Sequence, residues 1–234
     1  MKTALVLGAS GGIGNAIARK LLQDPKSWRV IGTHFNTAAN FAHPHMTWCP
    51  LQLNDETAIQ KLMSAITRID LIINAAGFLS NPEFSPEKSI RSFSQAQLHQ
   101  SIEANTVPLL LVAKHARSAL RSANNPMVVA LSARVGSITD NALGGWYSYR
   151  ISKAALNMAV KTLAIEWQHA LPRATIIAYH PGTVQTRLSA PFERAHRNPL
   201  SPTTAAQALF DLLPQLAPKD SGSFWDWQGQ SIPW

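Results

Sequence analysis

The sequence predicts an α/β fold, a doubly wound parallel sheet of about seven strands with helices on both faces. Strand-like and helix-like segments alternate along the chain, a glycine-rich turn separates the first strand from the first helix, and no linker or repeat divides residues 1–234. Repeated βα units of this length form parallel sheets with right-handed crossovers. With 234 residues and 46% hydrophobic content, the chain can bury the core of one such domain.

The predicted elements follow the apolar runs and the amphipathic segments. Strands are expected at Thr3–Leu7, Arg29–Thr33, Thr47–Leu53, Asp70–Asn74, Met127–Ser132, Thr175–Tyr179 and Gly222–Trp227. Helices are expected at Ile13–Gln23, Asp55–Thr67, Gln97–Ser122, Trp146–Ala170 and Thr203–Leu216, with Asn54 placed to cap the second. Ligands of such sheets bind beyond the carboxyl ends of the strands, where the strand order reverses.

The amino-acid composition excludes some classes of protein and makes others less favoured. The single cysteine, Cys49, excludes a disulfide framework and a multi-cysteine metal site, and we expect no bound metal. The longest apolar stretch, Val107–Ala113, is too short to cross a bilayer, and the first residues contain no apolar signal region, so we expect a soluble, cytoplasmic protein without a membrane partner. The net charge is +8, but the positive residues are scattered, which favours attraction of a polyanionic cofactor over binding of nucleic acid.

The turn after the first strand reads Gly8-Ala9-Ser10-Gly11-Gly12-Ile13-Gly14. Glycines let the backbone turn tightly and let phosphate oxygens approach N–H groups that no Cβ shields. The helix that follows supplies unpaired N–H donors at its N-terminus. A strand before the turn and a helix after it are the context that a dinucleotide-binding fingerprint requires. The turn therefore predicts a nucleotide cofactor.

A tyrosine and a lysine are spaced for proton transfer. Tyr149 and Lys153 are four residues apart on a predicted helix, so their side chains leave the same face. A nearby ammonium stabilises a phenolate and lowers the phenol pKa from about 10. Such a tyrosine can exchange a proton while a hydride moves. The other tyrosines lack this partner, and we expect Tyr147 to pack or to line the pocket.

Taken together, the motifs resemble the short-chain dehydrogenase/reductase family over essentially the whole chain. In order they are the glycine turn, Asn74-Ala75-Ala76-Gly77, the Tyr149/Lys153 pair and Pro181-Gly182. In detail, Ser132–Ile138, Gly144–Tyr147 and the ending of the chain resemble the subgroup of sniffer-type carbonyl reductases and C-factor-like proteins. The resemblance implies a Rossmann-type fold, an NAD(P)-dependent reaction of a small carbonyl or alcohol, and a homodimer or homotetramer.

The resemblance also implies roles for individual residues. Gly8, Ser10, Gly12, Ile13 and Gly14 are expected to hold the pyrophosphate and adenosine ribose, Asn74, Ala75 and Gly77 to pass beside that ribose, Gln52 and Leu53 to line the adenine, and Pro181, Gly182, Val184 and Thr186 to fix the nicotinamide. Tyr149 is the expected proton donor, Lys153 also binds the nicotinamide ribose, and a helix kink at Asn105 helps to hold a relay water. His180 is expected to be a packed strand-end residue.

The catalytic serine is left open. Most family members end this strand in two serines, of which the second polarises the substrate carbonyl, whereas this chain reads Ser132-Ala133. Adjacent strand residues face opposite sides of the sheet, so Ser132 can serve only if a bulge re-aims it. Ser132 is the first candidate and Ser137 the second, and the third alternative is that neither hydroxyl touches substrate.

Cofactor choice depends on the end of the second strand. An acidic residue there binds the ribose 2′-hydroxyl of NAD and repels the 2′-phosphate of NADP. This chain has His34 at that position, which favours NADP over NAD. No arginine stands at this strand end to bind the phosphate, so Thr33, His34, Asn36 and Ser10 are expected to bind it.

We therefore expect NADPH-dependent reduction of a small carbonyl compound. The alternative is a C-factor-like nucleotide-binding signalling or sensor protein with little catalysis, which the missing second serine supports. An epimerase or dehydratase that uses the same tyrosine and lysine is disfavoured, because the chain lacks the length for a separate substrate domain. The loop from Gly182 to about Ser201 is expected to shape the substrate site.

Overall fold

A seven-stranded parallel sheet forms the centre of the molecule. The computed structural model describes residues 1–23, 27–35, 37, 41–191 and 198–234. The strand order is β3-β2-β1-β4-β5-β6-β7, and every neighbouring pair is parallel. The strands are β1 (Lys2–Leu7), β2 (Trp28–His34), β3 (Met46–Pro50), β4 (Leu71–Asn74), β5 (Met127–Leu131), β6 (Thr175–His180) and β7 (Ser223–Asp226). The predicted doubly wound α/β fold is confirmed.

Helices cover both faces of this sheet. They are α1 (Gly12–Leu22), α2 (Glu56–Ser64), α3 (Gln95–Asn105), α4 (Val107–Arg121), α5 (Tyr147–Ala170) and α6 (Pro202–Leu212). Alternate residues of β1 point to opposite faces, as strand geometry requires. Leu5 and Leu7 pack in one apolar cluster with residues of α2, α4 and α5, whereas Ala4 and Val6 pack in the other with residues of α1 and α6. No helix in the described ranges is long and apolar enough to cross a membrane.

The single long helix predicted at Gln97–Ser122 is two helices that meet at Thr106. Pro108 explains the break, because its nitrogen carries no hydrogen to donate and its ring crowds the preceding turn. The Thr106 hydroxyl donates instead to the Ser152 carbonyl of α5, 2.9 Å away. The break therefore lies against α5, close to the residues of the candidate site.

Several predicted helix ends differ from the structure, and two of these differences have a clear physical reason. Asp55, not Asn54, caps α2, because its carboxylate accepts a hydrogen bond from the Ala58 N–H at 3.0 Å. Asn54 donates its amide to the Glu103 carboxylate instead. The helix predicted to reach Leu216 ends at Leu212, and a 3-10 turn containing Pro214 follows at Leu213–Gln215.

Candidate active site

The glycine turn lies where the strand order reverses, between β1 and β4. Gly8 has φ +73°, and a Cβ there would lie 3.1 Å from the Ala76 backbone nitrogen, in the loop after β4. A Cβ on Gly14 would lie 2.3 Å from the Gly8 carbonyl oxygen. Both positions require glycine, since the backbone segments are in contact. The result is a shallow cradle of main chain at the N-terminus of α1.

A groove of about 560 Å³ runs over this cradle. Most residues predicted to bind a cofactor line it, namely Gly8, Ser10, Gly12, Ile13, Gly14, His34, Gln52, Leu53, Ala75, Gly77 and Thr186. Asn74 is buried at the end of β4, and its side-chain oxygen has no hydrogen-bond partner. Pro181, Gly182 and Val184 lie between β6 and Thr186. The cradle, the groove and the unpartnered amide oxygen fit an extended nucleotide cofactor.

The end of β2 forms one wall of the groove. The Thr33 hydroxyl accepts a hydrogen bond from the Gly8 N–H at 3.0 Å, which fixes its oxygen against the glycine turn. His34 lines the groove, its ring makes an edge contact with Trp48, and its Nδ1 is buried without a partner. Asn36, the other predicted phosphate ligand, lies outside the described residues.

The opposite wall contains a residue that sequence reasoning missed. Arg187, beside the predicted nicotinamide residue Thr186, lines the groove and donates from Nη2 to the Thr37 hydroxyl at 2.9 Å. The two residues are 150 positions apart, so no local pattern could have connected them.

Tyr149 and Lys153 lie on the first two turns of α5. The Lys153 ammonium donates to the Leu131 carbonyl, at the end of β5, at 2.9 Å and lies 5.8 Å from the centre of the Tyr149 ring. Burial lowers the Lys153 pKa to about 8 and raises the Tyr149 pKa to about 12. This direction is opposite to the expected lowering of the tyrosine pKa, because burial removes the hydration that a phenolate needs. The phenol therefore carries its proton at neutral pH.

The N-terminus of α5 is held by a second missed residue. Trp146 precedes the helix with φ +53° and provides no side-chain cap. The buried carboxylate of Glu87 accepts hydrogen bonds from the Ser148 N–H, 3.2 Å from each oxygen, and from the Ser148 hydroxyl. The Glu87 carbonyl also accepts from the Trp146 N–H at 2.5 Å. No helix-capping pattern in the sequence indicates this partner, because it lies 61 residues away.

Asn105 connects three segments at the helix break. Its side-chain oxygen accepts from the Phe78 N–H at 2.7 Å, and its amide nitrogen donates to the Phe78 carbonyl and to the Ser152 hydroxyl at 2.9 Å each. The Ser152 hydroxyl in turn donates to the Tyr149 carbonyl at 2.8 Å. Asn105 thus ties the loop after β4 to the turn of α5 that contains Tyr149.

Both candidate serines make hydrogen bonds within the protein. The Ser132 hydroxyl, buried after β5, donates to the Asn157 side-chain oxygen at 2.6 Å. The Ser137 hydroxyl donates to the Pro233 carbonyl at 2.6 Å and accepts from the Asp140 N–H at 3.1 Å. Each hydroxyl proton is therefore already directed to a protein acceptor.

Known proteins match this chain along its full length. It is 30% identical over 241 residues to 1-hydroxy-2-glutathionyl-2-methyl-3-butene dehydrogenase of Rhodococcus sp. (strain AD45), with all of both chains covered. The carbonyl reductase Sniffer of D. melanogaster superposes with a TM-score of 0.86 at 23% identity, with all of both chains covered. The NADPH-bound carbonyl reductase from chicken fatty liver superposes with a TM-score of 0.87 at 24% identity, covering 100% of this chain and 99% of the other.

These comparisons confirm the family resemblance that the motifs indicate, and the likeness to the sniffer-type reductase is a likeness of fold. The family model described as short chain dehydrogenase matches residues 2–197, which contain the glycine turn, the Tyr149/Lys153 pair and the Pro181-Gly182 turn. The chain belongs to the short-chain dehydrogenase/reductase family of oxidoreductases.

Proposed function

We propose that this protein reduces a small carbonyl compound with NADPH and that Tyr149 donates the proton. The observation that carries the proposal is the placement of Tyr149 and Lys153 on one face of α5, at the end of β5, beside a glycine-lined groove. A bound nicotinamide dinucleotide supplies the hydride, and the protein positions and polarises the reactants.

Tyr149 acts as the general acid. Its raised pKa, about 12, keeps the phenol protonated at neutral pH, so a proton is ready for the substrate oxygen as negative charge develops there. Lys153, with a pKa of about 8, is still largely a cation at neutral pH and stabilises the phenolate that the transfer leaves behind. A protonated phenol beside a cationic ammonium is the arrangement that donation of a proton to a carbonyl oxygen requires.

Asn105 contributes to the reaction by positioning the break between α3 and α4. Pro108 has no N–H to donate to the carbonyl four residues earlier, that of Ala104, and such a carbonyl can hold a water that resupplies the Tyr149 proton. The side-chain bonds of Asn105 to Phe78 and Ser152 fix this break against α5.

Ser132 is our first candidate for polarising the substrate carbonyl, with Ser137 second. Either hydroxyl must give up its present acceptor to donate to substrate. Loss of one such donor typically costs about a hundredfold in rate. Tyr149 alone can therefore support a slower reaction.

We propose NADP rather than NAD as the cofactor. His34 carries no negative charge that would repel a 2′-phosphate, and a structural neighbour binds NADPH. The glycine turn would hold the pyrophosphate, the segment Asn74–Gly77 would lie beside the adenosine ribose, Gln52 and Leu53 would line the adenine, and Thr186 with the residues from Pro181 onward would fix the nicotinamide.

A second candidate function is nucleotide-dependent signalling with little catalysis. The observation that favours it is the engagement of both serine hydroxyls within the protein, which leaves one conventional substrate contact unmade. The two functions differ in turnover, since a sensor binds NADPH but consumes almost none of it.

A screen of carbonyl compounds for NADPH oxidation, followed by Tyr149→Phe, tests the proposal. The variant removes one hydroxyl and keeps the ring, so turnover should fall by about a hundredfold to ten-thousandfold with nearly unchanged NADPH affinity by calorimetry. Tyr179→Phe is the matched control, because its buried hydroxyl on β6 has no partner in the described structure. Turnover at the unmodified rate by Tyr149→Phe would contradict the mechanism. NADPH binding without turnover of any carbonyl would favour the sensor.

A further inference from the structure

Arg187 bridges the two walls of the nucleotide groove. Its guanidinium donates from Nη2 to the hydroxyl of Thr37, which lies just beyond β2. Both residues line the groove, and Arg187 is exposed. No carboxylate within the described ranges lies at ion-pair distance from it. Its charge is therefore available to an anion.

The segment containing Arg187 is packed against the glycine turn. A Cβ on Gly12 would lie 2.7 Å from the Thr186 side chain, so the two loops touch at that point. Thr186 also accepts a hydrogen bond at its hydroxyl from the Ser189 N–H at 3.3 Å, and its own N–H donates to the Ser189 hydroxyl at 3.0 Å. These contacts hold the segment in place and direct Arg187 toward the end of β2.

Arg187 differs from the other described residues that line the groove in its permanent positive charge. Among the described lining residues it is the only arginine, and no lysine is present. NADP differs from NAD by one phosphate on the 2′-oxygen of the adenosine ribose, and the end of β2 is the wall that faces this ribose. A planar guanidinium can make two parallel hydrogen bonds to a phosphate, which imidazole or hydroxyl groups cannot.

We propose that Arg187 determines cofactor choice by binding the 2′-phosphate across the groove, together with Thr37. This inference rests on the proposed preference for NADP and names the residue that creates it. The cation comes from the loop after β6, whereas local sequence around β2 contains none in that position. Phosphate binding would thereby join the two walls over the adenosine.

Calorimetric titration of Arg187→Gln tests the proposal without any turnover. Charge-assisted hydrogen bonds are about twice as strong as neutral ones, so affinity for NADPH and for 2′,5′-ADP should fall by about tenfold or more. Affinity for NADH and for 5′-ADP should change by less than about twofold, because neither carries the 2′-phosphate. Arg29→Gln is the matched control: it removes the same charge from an exposed position near the amino end of β2, away from the groove. This control should keep the wild-type preference.

Three outcomes would overturn the inference. An equal loss for NADPH and NADH would place Arg187 on the shared pyrophosphate, and unchanged affinities would remove it from the site. Tighter wild-type binding of NADH than of NADPH would remove the preference itself. The test of Arg187 does not depend on the proposed reductase activity. A selective loss of NADPH binding in Arg187→Gln would support the inference even if the protein reduced no carbonyl compound.

Discussion

The carboxylate of Glu87 caps the helix that contains the proposed proton donor, through hydrogen bonds to the backbone and hydroxyl of Ser148. Glu87 is only 1% exposed. A negative charge at a helix N-terminus satisfies unpaired N–H groups and interacts favourably with the helix dipole. Because Tyr149 directly follows Ser148, this contact fixes the turn from which the phenol projects.

Glu87→Ala should therefore reduce kcat by about tenfold or more while leaving the NADPH dissociation constant nearly unchanged. The substitution leaves buried donors unsatisfied, which costs about 1–3 kcal/mol of folding free energy and loosens the first turn of α5. Glu87→Gln keeps one acceptor oxygen and should recover part of kcat. The measurements are steady-state kinetics, calorimetry and thermal unfolding at a temperature where each variant is folded.

The matched control for this prediction is Glu83→Ala, in the same loop but exposed. It should match the wild type in both kcat and melting temperature. If Glu87→Ala lowered only the melting temperature and kept the full kcat, Glu87 would stabilise the fold without positioning Tyr149.

Local patterns predicted those parts of the molecule that depend on neighbouring residues. The alternation of strand-like and helix-like segments predicted the parallel sheet. These segments could be told apart because strands and helices differ in the spacing of their apolar residues. The glycine turn predicted the groove because the backbone conformation at Gly8 and Gly14 is a property of the turn itself. Tyr149 and Lys153 could be placed on one helix face because residues four apart are neighbours on the surface of any α-helix.

Contacts between distant segments could not be predicted in this way. The Glu87–Ser148 cap and the Arg187–Thr37 bridge join distant segments of the chain that meet only after the sheet has formed. The direction of the Tyr149 pKa shift could not be predicted from neighbouring residues either, because burial of the phenol by several elements sets it. Only the three-dimensional arrangement reveals which of these influences is larger.

Ser132→Ala and Ser137→Ala should separate the two candidate serines. If Ser132 polarises the substrate, its alanine variant should lose about a hundredfold in kcat, whereas Ser137→Ala should lose little. The Ser137 variant should instead lower the melting temperature, because its hydroxyl joins the loop after β5 to Pro233. A small effect of Ser132→Ala on kcat with a large effect of Ser137→Ala would reverse the assignment. Small effects of both would leave Tyr149 as the only donor.

His180 should make folding sensitive to acid. Burial, and then the nearby Arg134, lower the His180 pKa from 6.5 to about 4, against an opposing effect of Asp226. Between these two values the unfolded chain binds a proton that the folded protein does not, so stability falls as the pH falls from 6.5 toward 4. The loss reaches at most about 3 kcal/mol, at 1.36 kcal/mol per pKa unit.

Chemical denaturation across this pH range measures the effect. His180→Gln should have a shallower dependence of unfolding free energy on pH than the wild type. His169→Gln, which changes an exposed histidine near the end of α5, should keep the wild-type slope. Identical slopes for all three proteins would show that His180 is not protonated on unfolding in this range.

Self-association should use the exposed faces of α4 and α5. Leu110 on α4 and Ile151, Met158 and Ile165 on α5 are 42%, 43%, 66% and 56% exposed. The three α5 residues are seven apart, so they form one stripe along the helix. Contiguous apolar surface of this kind is typical of an interface, and the family resemblance implies a homodimer or homotetramer.

The double variant Met158→Glu with Ile165→Glu should therefore shift the wild-type assembly toward a monomer in light scattering at micromolar concentration. The new glutamates would lose their hydration in an apolar interface. In a two-fold symmetric dimer, the glutamates of one subunit would also repel those of the other. Leu143→Glu is the control, because that leucine is 91% exposed but lies in the loop before α5. A wild-type protein that scatters as a monomer would exclude this interface. An oligomer that tolerates both glutamates would place the contact on another face.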